Sequence, residues 1–286
     1  MQKPTELIGQ VDTTNTLIEL TGAFEGISSS KLAKIRTQAL QASAFFSELW
    51  QIYSQIRVQK VFGFGRSERE EEVNAKELWI LITSEGGFSG DIDKRLIENT
   101  MASYDPNKQD IIVVGHHGVG LLHDKGVQYK KFYKLPEQDQ NINVGPLVKD
   151  IQDYQTSTVY YQKYKSLSEQ NVEQIQLSKR VSEMGSNVKP GEDIISAVNF
   201  IFEPSVFAVI DYLERSMLGI TLSQLILDSK LAQYASRFKA MSAARGQAED
   251  TSRELSSRYH RAIRAVKDER LKETINSRRI VGASEE

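Results

Sequence analysis

The feature that most constrains this chain is its C-terminal run from Ser205 to Arg279, which contains no proline. Apolar residues fall at Leu227, Leu231, Tyr234, Phe238 and Met241, then at Ala248, Leu255, Tyr259, Ala262 and Val266. The steps are mostly four then three, the heptad spacing of a helix that buries one seam against another helix. Arg245 and Ser252 stand where that register places two more seam residues. At ~1.5 Å per residue such a helix reaches ~110 Å, several times the width of a small domain. It is expected to project, with something packed along it.

A second helical pattern fills residues 5–58. Ile35, Ala39, Ala42, Phe46, Leu49, Tyr53 and Ile56 step by four and three, and Leu20, Phe24 and Ile27 carry the spacing back less regularly. Pro4 suits a first helical turn. Gly9, Gly22 and Gly26 each weaken a helix by about 1 kcal/mol relative to Ala. Gly22 and Gly26 flank Phe24 and are read as sites of close helix approach. The simplest partner for the C-terminal helix is this one, so that both chain ends form a long antiparallel two-helix coiled coil. A parallel homodimer of rods is the alternative, and a globular segment between the ends favours closure within one chain.

That segment has a different character, holding 12 of the 18 glycines. Residues 59–76 read as a connector, with Gly63 and Gly65 breaking the helix and Glu68, Glu70, Glu71 and Glu72 forming a solvated acidic cluster. The run Leu78–Ile82 predicts a buried parallel strand. Residues 84–90 then make a turn, residues 91–104 a helix, residues 110–115 a second strand and residues 117–124 a helical or turn segment. A third strand is expected near 130–135, a helix over 146–154, and later strands over 159–167, 172–181 and 196–203. Alternating strands and helices imply a central Rossmann-like α/β domain with a partly parallel sheet. The expected division is residues 1–60 for the N-terminal helix, 61–203 for the α/β domain and 204–286 for the C-terminal helix.

Composition excludes some chemistry. With no cysteine in 286 residues, disulfides, thiolate nucleophiles and Cys-ligated zinc are absent. The start MQKPTELIGQ shows no basic-then-apolar leader, and no apolar run approaches the ~20 residues of a membrane span. From Lys230 to Arg279 there are 13 basic against 6 acidic side chains, whereas residues 61–229 carry 17 against 25. A basic shaft on an acidic body fits a negatively charged partner, or simply the wet faces of a two-helix rod. A nucleic-acid partner is disfavoured, because acids such as Glu249, Asp250, Glu254 and Asp268 interrupt the basic run and no aromatic platform accompanies it.

Three motifs invite a chemical reading. Ser84–Gly90 lies between a strand and a helix, where nucleotide folds hold phosphate. No lysine follows it as a Walker loop requires, and Asp91 and Asp93 would repel phosphate. Gly118-Val-Gly120 lacks the third glycine of a dinucleotide fingerprint, since His123 stands there. His116, His117 and His123, with Asp124, form a metal-like cluster, but adjacent histidines point apart, so no metal and no cofactor are expected. Ser28-Ser-Ser-Lys31 matches Ser-x-x-Lys formally, without a pocket or oxyanion hole. The chain is expected to be non-catalytic by itself.

Taken together and in order, the motifs resemble those of the gamma subunit of F-type rotary ATP synthases. Ser229-Lys230, Ala235, Arg237, Ala240, Met241, Ala244 and Ala248 are similar to that family's SK-x4-A-x-R-x-x-AM-x-x-A stretch. Tyr259, Arg261, Ala262 and Ala265 resemble its final segment, and Ala23-Phe-Glu25 with Ser30-Lys31 its N-terminal one. Thr83–Gly90 is similar to its glycine-rich turn, and Phe202-Glu-Pro-Ser205 opens the last helix as in the family. Departures include Ile8, Asp12, Glu19 and Gly22 where the family has basic residues. Others are Ile263-Arg264 and Lys267-Asp-Glu-Arg270 near the tip, and Gly219-Ile220 near the foot. With these departures the chain resembles a divergent member of that family, or the rotor of a variant rotary ATPase.

The resemblance implies a central-stalk rotor coupling ion-driven rotation of a membrane ring to ATP synthesis or hydrolysis. It implies as partners a catalytic hexamer of alternating nucleotide-binding subunits, a small epsilon-like stalk subunit and the membrane rotor ring. The place implied is peripheral, on the cytoplasmic or matrix-equivalent face of an energy-transducing membrane. Lys31, Arg237, Lys239, Arg261 and Arg264 are the expected partner contacts. A coiled-coil scaffold or adaptor outside any ATPase is the competing expectation.

Overall fold

A computed structural model describes residues 3–55, 74–137, 139, 142–177, 203 and 206–282. Helix α1 spans Pro4–Gln55. There follow β1 (Asn74–Ile82), α2 (Ile92–Met101), β2 (Gln109–Val114), α3 (His116–Asp124) and β3 (Lys131–Tyr133). Helix α4 (Gly145–Gln152), β4 (Tyr154–Tyr164), β5 (Gln170–Gln176) and the long C-terminal α5 (Val206–Gly282) complete the described elements. The chain divides into two compact units: Met1–Ile27 with Ala240–Glu286, and Ser28–Lys239.

In the Ser28–Lys239 unit the strands form a mixed five-stranded sheet in the order β3-β2-β1-β4-β5. Strands β1 to β4 are parallel to their neighbours, and β5 returns antiparallel to β4. Both faces of the sheet are covered, which is why Leu78–Ile82 is apolar without alternation. On one face Leu78, Ile80, Ile82 and Tyr161 pack with Leu147, Val148 and Ile151 of α4 and with Met217, Leu222 and Ile226 of α5. On the other, Trp79, Leu81, Ile111 and Tyr160 pack with Leu96 and Ile97 of α2 and Leu122 of α3. A third cluster joins Leu32 and Ile35 of α1 to Leu227, Leu231 and Tyr234 of α5.

Several expected boundaries move. Asn74–Lys76 belong to β1 rather than to the connector, whose remaining residues 59–73 lie outside the described residues. Strand β4 begins at Tyr154, five residues earlier than its apolar stretch, because β-branched and polar residues of its first half pair with β1 in register Glu77↔Thr156 and Leu78↔Ser157. The expected strand over 196–203, Asn199–Phe202 included, also lies outside the described residues, apart from Glu203.

The seam of α1 is the clearest correction. Leu20, Phe24 and Ile27 are exposed at 51, 38 and 56%, while Leu7, Val11, Thr14, Ser28 and Ile35 are buried. Counting back from Ile35 by sevens reaches Ser28, Thr21, Thr14 and Leu7, with Ile18, Glu25 and Leu32 at the alternate positions. The heptad therefore persists, but small polar residues carry part of it. Thr14 meets its hydroxyl's need inside the helix, donating to the Gln10 carbonyl at 2.7 Å. Side chains of residues 40–55, including Phe46, Leu49 and Tyr53, lie outside the described ones. On α5, Met241 and Ala262 are buried and Ala248, Ser252, Leu255, Tyr259 and Val266 half-buried, along the expected register.

Within the Met1–Ile27 and Ala240–Glu286 unit, Arg245 and Ser252 make polar contacts across the two helices. Arg245 Nη1 lies 3.3 Å from Glu25 Oε2 across the helices, while its Nε lies 3.1 Å from Glu249 Oε1 one turn along α5 itself. The Ser252 hydroxyl donates to Asn15 Oδ1 at 2.8 Å. A Cβ on Gly22 would stand 3.7 Å from Arg245 Nη1, and one on Gly26 would meet nothing within 4 Å. The glycines thus do not serve close helix approach. Accordingly Gly9→Ala and Gly26→Ala are each expected to raise stability by up to about 1 kcal/mol in urea unfolding. Ile35→Ala should cost about 2–5 kcal/mol, and Leu20→Ala no more than about 0.5 kcal/mol; equal costs for Ile35 and Leu20 would contradict the seam.

Candidate functional site

Strand order 3-2-1-4-5 carries a prediction of its own. From β1 the chain steps outward to β2 and β3, then crosses through α4 to β4 on the other side of β1. The carboxyl ends of β1 and β4 therefore part at a switch point, where open α/β sheets hold their ligands. Here side chains of α5 bond to the end of β4 and to the turn after β1.

The centre of the site is Asp93, wholly buried in the first turn of α2. Its position suits a carboxylate, because the amide end of a helix favours negative charge. Asp93 Oδ2 accepts the Ser84 hydroxyl at 2.5 Å and lies 2.7 Å from His117 Nδ1. Asp93 Oδ1 accepts the Gln162 amide at 2.7 Å, and the Ser84 N–H reaches both oxygens at 3.3 Å. Gln162, at the end of β4, passes the network to α5: its Oε1 accepts from the Ser229 hydroxyl and, at 3.3 Å, from Gln233 Nε2. Gln162, Ser229 and Gln233 are all buried.

One turn further along α5, the helix grips the Ser84–Gly90 turn itself. The Ser236 hydroxyl donates to the Ser89 carbonyl at 2.6 Å. Arg237 donates to the Gly87 and Gly86 carbonyls, both at 3.2 Å, and to Ser89 Oγ at 3.0 Å. Between these anchors Phe88 takes φ 65°, a left-handed conformation costly for an aromatic residue. Donors held on the carbonyls to either side of Phe88 keep it there. A second tie lies beside this one. Lys230 and Asp139, each only 4% exposed, form an ion pair, and Lys230 Nζ also donates to the Pro136 carbonyl at 2.8 Å.

Close packing explains the other tempting motif. Gly115 has φ 98°, and a Cβ there would stand 2.1 Å from the Thr83 carbonyl oxygen. At Gly118 a Cβ would stand 2.6 Å from Thr83 Oγ1, and the Gly118 N–H is spent on that oxygen at 3.0 Å. The glycine lets α3 close on the end of β1, and its amide is not turned to a phosphate.

The three histidines diverge. His116 sets its ring edge on Phe132, His117 faces Asp93, and His123 lies 4.0 Å from Asp124. Among the described residues no group of three or more metal-ligating side chains converges. Nor do Ser84, His117 and Asp93 make a hydrolytic relay. Serine and aspartate both lie on the Nδ1 side of the ring, at 3.5 and 2.7 Å, whereas a relay places them on opposite nitrogens. Ser28 is wholly buried, leaving no access to a Ser-x-x-Lys nucleophile.

The five basic residues expected at partner contacts fall in different settings. Arg237 is engaged within the chain as described, and Lys239 donates to the Ser168 carbonyl at 3.1 Å. Lys31 is half-buried on α1, while Arg261 and Arg264 are exposed on α5. Sequence reasoning missed Asp93, Gln162, Gln233 and Ser236 as the heart of the site. A signal existed for Asp93: with Ile92, Leu96, Ile97 and Thr100 it lies on the buried face of α2.

Two substitutions test the joint. Lys230→Met leaves Asp139 charged and buried without its partner, and is expected to cost about 3–5 kcal/mol in urea unfolding. Adding Asp139→Leu should recover most of that loss. Gln162→Ala strands polar atoms of both Asp93 and Ser229 and should cost about 1–3 kcal/mol.

Comparison with known proteins gives this geometry its family. A family model described as ATP synthase matches residues 5–277. The ATP synthase gamma chain of Chlorobium phaeobacteroides (strain BS1) is 26% identical over 277 residues, covering 90% of this chain and 91% of that one. The gamma chain of Staphylococcus haemolyticus (strain JCSC1435) is 24% identical, covering 94% and 96%. Among solved structures, a chain of the Euglena gracilis mitochondrial ATP synthase, OSCP/F1/c-ring, matches with a TM-score of 0.57 at 14% identity, covering 95% of this chain and 97% of that one. A chain of the Tetrahymena thermophila ATP synthase central stalk and c-ring matches at 0.54 and 17%, covering 79% and 99%. At such identities these structures show a shared fold. The match from one end of the chain to the other settles its membership: this protein belongs to the ATP synthase family, alongside gamma chains.

Proposed function

We propose that this chain is the central-stalk rotor subunit of an F-type ATP synthase, a non-catalytic part of that complex. The observation that carries the reading is the match of the ATP synthase family model over residues 5–277, together with a gamma chain aligned over 90% of this chain. The site geometry agrees with it. Side chains of α5 bond to the β1–α2 turn and to the end of β4, where an α/β enzyme would take a ligand, which suits a sheet that serves as a mount for that helix.

In this reading residues 1–60 and 204–286 wind into an antiparallel coiled coil and residues 61–203 form the α/β domain. The contacts Glu25–Arg245 and Asn15–Ser252 support the antiparallel sense, since the partner number rises as the first falls. The coiled coil turns inside a hexamer of alternating nucleotide-binding subunits, while the α/β domain meets an epsilon-like subunit and the membrane ring. No helix of the described residues is long and apolar enough to cross a membrane. In this reading the chain is held at the cytoplasmic or matrix-equivalent face through its partners. The driving ion is a proton or a sodium ion. Rotation biases each catalytic site by the face of the shaft it meets, which is allostery by differential contact. Arg261 and Arg264 are the foremost candidates for attraction to acidic loops of the hexamer. Lys31, Lys239 and Arg237 are the others, the last two already holding contacts within the chain.

Native mass spectrometry of the complex pulled down through this chain should give one copy with three pairs of larger, ATP-binding subunits. A lone chain, or a stable complex without nucleotide-binding subunits, would favour the scaffold reading instead. Replacing Arg261 and Arg264 by Ala in the assembled complex is expected to lower ATP turnover by less than about fivefold per residue, the scale of exposed ion pairs worth ~0–1 kcal/mol. The loss should shrink as salt is raised.

A further inference from the structure

We propose that His117 is a proton-operated latch on the Ser84–Gly90 turn: as imidazolium it holds the buried Asp93 carboxylate at the root of the turn, and loss of its proton loosens the grip of that turn on α5. The inference stands on the geometry of the joint and goes beyond the rotor reading. Asp93 has no exposed surface, and its other donors, Ser84 and Gln162, are neutral. A buried carboxylate with neutral donors alone is costly to keep charged, and a cation 2.7 Å away offsets that cost. The His117 side chain is 34% exposed, so solvent protons reach it. Ser84 touches Asp93 with its N–H and hydroxyl at one end of the turn, and Arg237 and Ser236 hold Gly86, Gly87 and Ser89 at the other. His117 is therefore joined to α5 by the short run of backbone from Ser84 to Gly86 that Arg237 holds, and by Gln162, which bonds both Asp93 and Ser229.

The charges facing His117 are few. From α2 comes Asp93, whose hydrogen bond is the main cause holding the imidazole above its ordinary value of 6.5, aided by its charge. Partial burial opposes this, and so does the Arg237 guanidinium from α5. On α3 itself His116 rests on Phe132, and His123 and Asp124 lie together at the far end of the helix. The sign follows from a raised imidazole. Its stabilising contribution is complete below the unfolded value near 6.5 and is lost as pH rises through the higher folded value.

The test is amide hydrogen exchange of the full chain from pH 5.5 to 9, corrected for intrinsic exchange, with His117 followed by NMR. Protection of the Ser84 amide, which donates to Asp93, should fall as His117 loses its proton, by up to about tenfold for each pH unit separating its folded and unfolded values. His117→Gln should fix the turn at the weakly protected level at every pH, and His117→Lys, a cation throughout this range, at the strongly protected one. If His117→Gln does not fold, the wild-type titration and His117→Lys still decide. Ordinary or low titration of His117, or turn protection that ignores its proton, would overturn the latch.

Discussion

One buried carboxylate organises the Ser28–Lys239 unit. Asp93 takes hydrogen bonds from the β1–α2 turn and the end of β4, and a ring nitrogen of α3 faces it at 2.7 Å, while α5 reaches it through Gln162. Apolar packing alone would hold α5 against the sheet, but would tolerate sliding along it. Directional bonds to a fixed anion do not, because a shift of one residue strands several buried polar atoms at once, each costing about 1–3 kcal/mol. Lys230 and Asp139 repeat the device a short way off. A part that must carry force between a sheet and a helix needs this kind of joint, in which register is set by polar pairing and adhesion by the apolar faces.

The same joint lies where sheets of this topology hold their ligands. The domain's strand order is that of a nucleotide-binding sheet, and its β–α turn sits where phosphate is held in such folds. Yet the turn's Gly86, Gly87 and Ser89 carbonyls are taken by Arg237 and Ser236, and the Gly118 amide by Thr83. A topology widely used for small-molecule chemistry has become a mount. Fold and function separate here at the level of single side chains.

Much of this was legible in the sequence, and the rest failed for identifiable reasons. Apolar runs and glycine-rich turns marked β1, β2 and the helices between them, because a sheet covered on both faces leaves a strong signal. The α5 seam was legible because alanines, aromatics and leucines keep the heptad. The α1 seam was misplaced because Thr14 and Ser28 occupy it while Leu20 and Ile27 face outward, so hydrophobicity pointed to the wrong stripe. The polar joint was hidden because its members are scattered over Ser84, Asp93, His117, Gln162 and Ser229, and nothing local announces that they meet. Arg237 was noticed through resemblance, but its hold on the turn emerges only when α5 is laid across the carboxyl ends of β1 and β4.

The central claim is that this chain is turned as a unit inside a ring of catalytic subunits. The chain has no cysteine, so Lys125→Cys, in an exposed loop of the α/β domain, provides a single attachment point for a visible probe. With the hexamer of the purified complex fixed to a surface and ATP supplied, the probe should rotate in one direction, pausing at three equally spaced angles per turn. ATP hydrolysis at full rate with the probe stationary would contradict the account.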